Sequence, residues 1–248
     1  MNQRSASSTA ALILLLTCLA APGVVQAEAW SWAVEPYAWA SSIRADLRTE
    51  VPPIEGSSEL RFRDILDKLD GSLQLHVEGG LQRHGLFLDF SYLGISDRVS
   101  RNFADYEADL DTRLFEAAWV WSPSGRRLEA LDLFAGVRYL DADISLRIDP
   151  VNPELVGRTL DVGDSYLDAM LGARYTWPLG PKWRVTARGD GSFGDTEGAW
   201  NASLGARYHT SNGAWVFGYR HLRIEIESGG ADVDLTMSGP FAGYAFVF

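Results

Sequence analysis

The sequence predicts an all-β fold, an up-and-down antiparallel transmembrane β-barrel of about ten strands. Three observations predict it. Apolar and polar residues alternate through successive segments, tryptophans recur at every second turn, and the chain finishes on an aromatic strand that ends at Phe248.

Residues 1–27 have the pattern of a secretory signal peptide. A positive charge at Arg4 is followed by an apolar stretch and then by Ala27, a small residue suited to signal peptidase cleavage. The apolar stretch is too short to span a bilayer comfortably. The one cysteine, Cys18, lies inside this segment, so the mature chain has no disulfide and no thiolate metal site. We therefore expect residues 28–248 to form a single exported barrel domain.

Composition limits the classes of partner. The formal net charge is -11, and acidic and basic residues are interleaved, which argues against a nucleic-acid partner. No apolar run in residues 28–248 approaches the length of a transmembrane helix. A location in the membrane would therefore require strands.

The alternation is clearest in residues 183–193, where Trp183 begins an apolar face and Arg188 belongs to a charged one. The same split recurs in residues 166–177 and 200–208. A face this charged cannot contact lipid, so we expect it to line the barrel interior.

Ten segments have this strand pattern, and an even number fits a bacterial barrel with both ends in the periplasm. Short turns, assigned to the periplasm, alternate with mostly longer connections. Residues 48–70 and 149–165 are expected to be external loops, the first with a short helix at 64–69. A further strand near 58–63 would raise the count to twelve, and eight strands is the other alternative. The ten segments are residues 32–47, 71–82, 86–97, 106–121, 128–148, 166–177, 183–193, 200–208, 215–226 and 232–248.

Tryptophans fall at the strand ends assigned to the periplasm. Indole rings suit the boundary between hydrocarbon and headgroups, where one edge can donate a hydrogen bond. An aromatic core in a soluble β-sandwich is the alternative, but it does not explain clustering at every second turn. The predicted membrane-interface aromatics are Trp30, Trp32, Trp119, Trp121, Trp177, Trp183 and Trp215.

The last residues resemble the terminal strand signal that the outer-membrane barrel assembly machinery recognises. Tyr244, Phe246 and Phe248 alternate with small or aliphatic residues. We expect the last strand to pair with the first and close the barrel. The expected location is the outer membrane, with its lipid, lipopolysaccharide and assembly machinery as partners, and the sequence leaves the oligomeric state open.

Several motifs together resemble a little-characterised family of Gram-negative outer-membrane β-barrel proteins. The resemblance covers nearly all of residues 28–248 and implies a barrel in the outer membrane, with no established activity. His221 stands where an aromatic residue is expected. The motifs are Trp30 with Pro36-Tyr37-Ala38-Trp39, residues 62–70, residues 85–93, Phe134-Ala135-Gly136-Val137-Arg138-Tyr139, Gly218-Tyr219-Arg220 and Ser238-Gly239-Pro240.

Charged residues accumulate on the faces predicted to point inward. The lumen of a ten-stranded barrel is narrow, so opposite charges can pair across it and fill it. The alternative is a narrow polar channel lined by the same residues. They are Glu35, His76, Glu78, Asp89, Glu116, Asp132, Arg138, Asp168, Arg174, Arg188, Asp190, Arg207 and Arg220.

Catalytic patterns are few. His76 and Glu78 could meet a metal ion or act as acid and base, but membership of the charged lumen network is the better explanation of both. No nucleophile elbow, nucleotide loop or zinc-type histidine pair is present. We expect no enzymatic activity, no cofactor and no metal. The leading functional hypothesis is a structural barrel for envelope integrity, with a passive channel for small polar solutes and an adhesive or ligand-binding barrel acting through loop 48–70 as alternatives.

Overall fold

The computed structural model describes residues 30–50, 53–66, 69–100, 104–150, 158–228 and 231–248. The predicted signal segment, residues 1–27, lies outside this part of the chain. The elements are β1 Ser31–Trp39, β2 Ser42–Glu50, β3 Pro53–Leu60, α1 Phe62–Leu66, β4 Leu69–Gly80, β5 His84–Ser100, β6 Ala104–Trp121, β7 Leu131–Pro150, β8 Arg158–Pro178, β9 Trp183–Gly194, β10 Gly198–His209, β11 Gly213–Ser228 and β12 Ala231–Val247.

The strands form a closed antiparallel barrel. Each of β4 to β11 pairs with the next strand in sequence, and β1 pairs with both β4 and β12. Ten strands therefore surround the lumen, and the first and last of them meet. The predicted fold class, strand number and closure are confirmed.

The first barrel strand has a gap that the sequence pattern did not predict. Trp39 pairs with Phe241 before the gap, and Ser42 resumes the same register after it. Between them, Pro240 accepts a hydrogen bond from the amide of Ala40 at 2.8 Å. Proline has no amide hydrogen with which to return that bond. The predicted strand 32–47 is thus one extended segment interrupted by a missing donor.

Beyond the gap, the chain forms a hairpin outside the ring. β2 continues along β12 and pairs on its other edge with β3. The extra strand predicted at 58–63 is therefore real but lies earlier and does not enter the barrel. The helix predicted at 64–69 likewise begins earlier, at Phe62.

The predicted external loop 149–165 is shorter than expected. β7 extends to Pro150 and β8 begins at Arg158, with Ser145 paired to Asp161. The Asp, Gly and Ser residues at 161–165 indicated a loop in the sequence, but main-chain pairing between the two strands continues through them.

The two ends of the barrel differ. The turn end carries the connections 81–83, 122–130, 179–182 and 210–212 together with Trp30 and Phe248, and the loop end carries the remaining connections. Among the described residues, no helix is long and apolar enough to cross a membrane.

The outer wall between the two ends is apolar. Large hydrophobic side chains are exposed on nine of the ten ring strands, and a continuous exposed apolar surface of this kind is a membrane or protein contact surface. Examples are Leu73, Leu88, Trp119, Val137, Leu171, Phe193, Leu204, Phe217, Tyr219 and Phe246.

Closure can be tested with a disulfide. Ala33 on β1 and Val247 on β12 are register partners. In an antiparallel ladder, directly opposite Cα atoms lie about 4.5–5.5 Å apart, within the range a disulfide bridges. We expect the double variant Ala33→Cys, Val247→Cys to form an intrachain disulfide, seen as changed gel mobility of the boiled, unreduced protein.

The matched control joins Ala33→Cys to Ala245→Cys, one pleat away on the same strand. Such diagonal positions lie about 7–8 Å apart, too far for a relaxed disulfide. If both pairs cross-link equally, or neither does, the register of the closing strands is wrong.

Candidate functional site: the barrel interior

The interior is organised around Glu116, a buried carboxylate on β6. Its oxygens accept hydrogen bonds from Arg138 at 2.7 Å, Arg188 at 2.8 Å and Arg220 at 3.0 Å. Asp190 joins the same group, accepting from Arg138 at 2.5 Å and from Arg188 at 2.7 Å. We call these five residues the central cluster. They come from four different strands and meet across the lumen.

A second cluster lies beside the first and closer to the turn end. Arg174 donates to both oxygens of Glu78, at 2.6 and 2.8 Å, and to Asp132 at 3.0 Å. Arg127, from the turn 122–130, donates to Glu78 as well. Asp132 also accepts from the Ser122 hydroxyl. Charged pairs with several hydrogen bonds are the form in which buried charges are tolerated.

His76 belongs to the same interior network. Its Nδ1 lies 3.0 Å from Asp89, and its Nε2 lies 3.6 Å from Glu78. The Tyr37 hydroxyl donates to Asp89 at 2.8 Å. Both imidazole nitrogens therefore face carboxylates, which leaves neither to activate a nucleophile. Within the described ranges, no group of three or more potential ligands could hold a metal ion.

The remaining predicted interior residues are also paired. Glu35 accepts from Arg207 at 2.8 Å. Asp168 is satisfied by hydroxyls instead of an arginine, accepting from Thr196 at 2.6 Å and Ser192 at 2.9 Å. Every charged residue predicted for the lumen thus has a polar partner inside the barrel.

Sequence reasoning missed several members of this set. Arg127 lies in a turn, where strand alternation says nothing about direction. Arg184 is in phase with Arg188 on β9, so the pattern that identified its neighbour applied to it too. Asn201 donates to Asp190 at 2.8 Å and accepts from Arg220 at 2.9 Å, and its uncharged side chain gave no signal.

An apolar layer closes the lumen on the loop side of the central cluster. It is built from buried residues that include Trp39, Leu140, Leu222 and Ile224, and Ile65 of α1 packs into it. A cavity of about 20 Å³ lies within the layer. That is room for about one water molecule and too little for a solute. Among the described residues, packed side chains therefore fill the loop side of the lumen.

On the other side of the clusters, a cavity of about 350 Å³ reaches the turn end. Ser31, His209 and Val247 line its mouth, and Arg188 and Arg220 of the central cluster form its floor. From the turn end to the loop end, the interior is thus a cavity, then ion pairs, then a packed apolar layer.

Aromatic residues ring the turn end on the outside. The predicted interface tryptophans cluster there with other rings, and the ring centroids lie 5.5 Å apart for Trp30 and Trp32 and 5.0 Å apart for Trp215 and Tyr244. Trp183 packs against Tyr208 at 4.9 Å. Trp119, Trp177, Phe246 and Phe248 are exposed on the same rim, and Trp121 is half-buried there.

Asp141 and Asp143, which share one face of β7 near the loop end, both lie near an arginine. Arg113 lies 3.3 Å from Asp141 and 3.7 Å from Asp143, and Arg223 lies 3.1 Å from Asp234 on β12. These carboxylates therefore belong to local ion pairs on the upper part of the strands.

Comparison with known proteins identifies the architecture. No protein family model and no curated protein sequence matches the chain. Among solved structures, the transport unit of the autotransporter AIDA-I from Escherichia coli has a TM-score of 0.41, 10% identity and coverage of 97% of this chain and 96% of that one. The attachment invasion locus protein Ail of Yersinia pestis has a TM-score of 0.41, 11% identity and coverage of 89% and 100%.

A stronger likeness is to the outer membrane protease OmpT from Escherichia coli. The TM-score is 0.54, and the match covers 91% of this chain and 99% of that one at 8% sequence identity. A likeness at this identity shows the fold alone. The chain therefore has the closed antiparallel barrel architecture found in outer-membrane proteins of Gram-negative bacteria, as the motif resemblance implied.

Proposed function

We propose that the protein is an integral outer-membrane barrel that contributes to envelope structure and has a lumen closed to solutes. The observation that carries the proposal is the order of layers inside the barrel. A packed apolar layer with Ile65 and Leu222 at its centre lies directly above a complete set of ion pairs around Glu116.

The outer surface supports the membrane location. An apolar wall on nine strands would otherwise face water at a large free-energy cost, at roughly 25 cal/mol per Å² of exposed apolar surface. The rim of aromatic rings at the turn end suits the headgroup boundary on one side of a bilayer. Export would follow from the signal predicted at residues 1–27.

The interior supports closure over conduction. A conducting lumen needs a continuous polar path wide enough for water, and here the polar clusters end against Trp39, Leu140 and Ile224. The guanidinium group of Arg220 lies 4.9 Å from the Trp39 ring centroid, so the topmost cation packs against the apolar layer.

Planar-bilayer recording of the refolded mature protein tests the proposal. We expect no regular single-channel steps at any applied voltage, because solutes cannot pass the apolar layer. Insertion is verified in parallel by the change of gel mobility on heating that folded barrels show.

The channel hypothesis makes the opposite prediction. Regular steps that disappear or change size in Arg188→Gln or Asp190→Asn would show that the central cluster lines a conducting path, and the closed-lumen proposal would be wrong. Extraction by alkaline wash, with identical mobility before and after heating, would instead contradict the membrane location.

A further inference from the structure

Two arginines face each other at the turn end of the interior. Arg184 on β9 and Arg207 on β10 are direct register partners, and both line the 350 Å³ cavity. Like charges directly opposite each other on neighbouring strands are destabilising unless something neutralises them. The two arginines differ in how their positive charges are neutralised.

Arg207 has a carboxylate partner, because Glu35 accepts its hydrogen bond at 2.8 Å. Arg184 is poorly matched by comparison. Its Nη1 lies 2.5 Å from Nε2 of His209, a neutral acceptor, and its one carboxylate contact is the half-exposed Glu129 at 3.4 Å.

The Nε atom of Arg184 gives an independent sign of an unmet interaction. Across the described ranges, it is the buried side-chain polar atom without a hydrogen-bond partner. Buried donors are nearly always satisfied in folded proteins, and an exception needs a physical explanation. An anion in the cavity would supply one.

The wall next to the arginines is apolar. Arg207 is the register partner of Val216 on β11, and Val216 in turn pairs with Gly243 on β12. Phe241 and Val247 extend this surface along the cavity. The cavity therefore has an apolar wall beside the two arginines, and its carboxylates Glu35, Glu78 and Asp89 are themselves paired with arginine or histidine.

We propose that the cavity binds a small amphipathic carboxylate from the turn end. The carboxylate would lie between Arg184 and Arg207, in the paired geometry that guanidinium groups offer to planar anions, and the apolar part would lie against Val216, Phe241 and Val247. The cavity volume of about 350 Å³ is at the lower end for small-molecule sites. It has room for about ten non-hydrogen atoms, judged from the ~30 Å³ that a water molecule occupies. The ion pairs beneath would stop the ligand there, so binding does not require passage through the barrel.

Octanoate, which has about that many atoms, is the probe. Isothermal titration calorimetry of the full mature barrel in zwitterionic lipid nanodiscs should detect saturable one-to-one binding, after subtraction of octanoate partitioning into empty nanodiscs. Octanol lacks the charge and acetate lacks the apolar chain, so each should bind at least ~10-fold more weakly, the loss typical of a charged hydrogen bond or a buried chain.

Arg184→Gln should weaken octanoate binding by ~10-fold or more. Arg184→Lys keeps the positive charge but loses the planar guanidinium group. Its affinity for octanoate should therefore lie between that of the unmodified barrel and that of Arg184→Gln. The matched control is Arg126→Gln, which removes an exposed arginine from the same end of the barrel and should leave binding unchanged. Heat-dependent gel mobility confirms that each variant is folded.

Equal binding of octanoate and octanol, equal loss in both glutamine variants, or no saturable heat with the unmodified barrel would each overturn the proposal. These outcomes are separable from the closed-lumen proposal, because bilayer recording measures passage and calorimetry measures occupancy.

Discussion

Replacing Glu116 with glutamine is expected to destabilise the folded barrel by about 3–5 kcal/mol, the usual cost of removing one partner from a buried ion pair. Three arginines donate to this carboxylate, and it is completely buried. Without its charge, Arg138, Arg188 and Arg220 would repel one another with only Asp190 and Asp89 left to compensate. The measurement is the urea midpoint of tryptophan fluorescence for protein refolded into lipid vesicles.

Glu225→Gln is the matched control. Glu225 pairs with Arg223 at 3.1 Å, but both side chains are about half-exposed, so the change should cost about 0–1 kcal/mol. Adding Arg220→Met to Glu116→Gln should recover part of the loss, because it removes one of the uncompensated cations. If Glu116→Gln costs no more than Glu225→Gln, the central cluster does not hold the barrel together.

Replacing Gly243 with valine is expected to destabilise the barrel by about 2–3 kcal/mol, as overpacking of a well-packed interior does. A Cβ atom on Gly243 would lie 2.6 Å from both the Tyr37 Cβ and the Pro36 carbonyl oxygen. Neither atom is at the end of a flexible side chain, so the closing strands must separate. The same urea titration and the fraction of heat-modifiable protein measure the effect.

The neighbouring Ala242 provides the control for this change. It lies on the same strand, is exposed, and pairs with Ala38 on β1. A valine there points toward lipid and should change stability by no more than about 0.5 kcal/mol, as is usual for surface positions. Equal effects at both positions would mean that the closing strands are not packed as tightly as the structure has them.

The architecture was predictable because strand alternation and turn chemistry are local signals. Each predicted barrel segment overlaps an observed strand, and the phase that placed Arg188 and Asp190 inside also placed Trp183 and Phe193 outside. The tryptophans carried separate information, since they mark depth along the barrel axis and not the direction of a side chain.

The closed loop end was not predictable in the same way. Arg220, Leu222 and Ile224 share one face of β11, so a pattern that assigns charge to the interior has no rule for the apolar residues that follow in phase. They lie inside because buried apolar side chains, including Ile65 of α1, pack together in the lumen at that level. Whether a lumen is filled depends on contacts among strands far apart in sequence, and alternation within one strand does not contain them.

The gap in the first strand was not predictable either, because it depends on contacts between residues that are far apart in sequence. Pro36-Tyr37-Ala38-Trp39 and Ser238-Gly239-Pro240 stood out as separate motifs, about two hundred residues apart. In the structure they meet, and the Trp39 indole donates to the Gly239 carbonyl at 3.2 Å. Proline is tolerated at these positions because each proline removes only one backbone N–H donor from the pairing of the closing strands.

The closing strand β1, which carries Pro36, is also the part of the barrel wall with the fewest main-chain residue pairs. In the described part of the chain, β1 has five residue pairs with β12 and seven with β4, whereas β6 has 17 with β5 and 18 with β7. Separating β1 from its two neighbours therefore breaks fewer main-chain hydrogen bonds than separating any other strand of the barrel from its neighbours. We therefore expect thermal fluctuation to open the ring at this strand before any other.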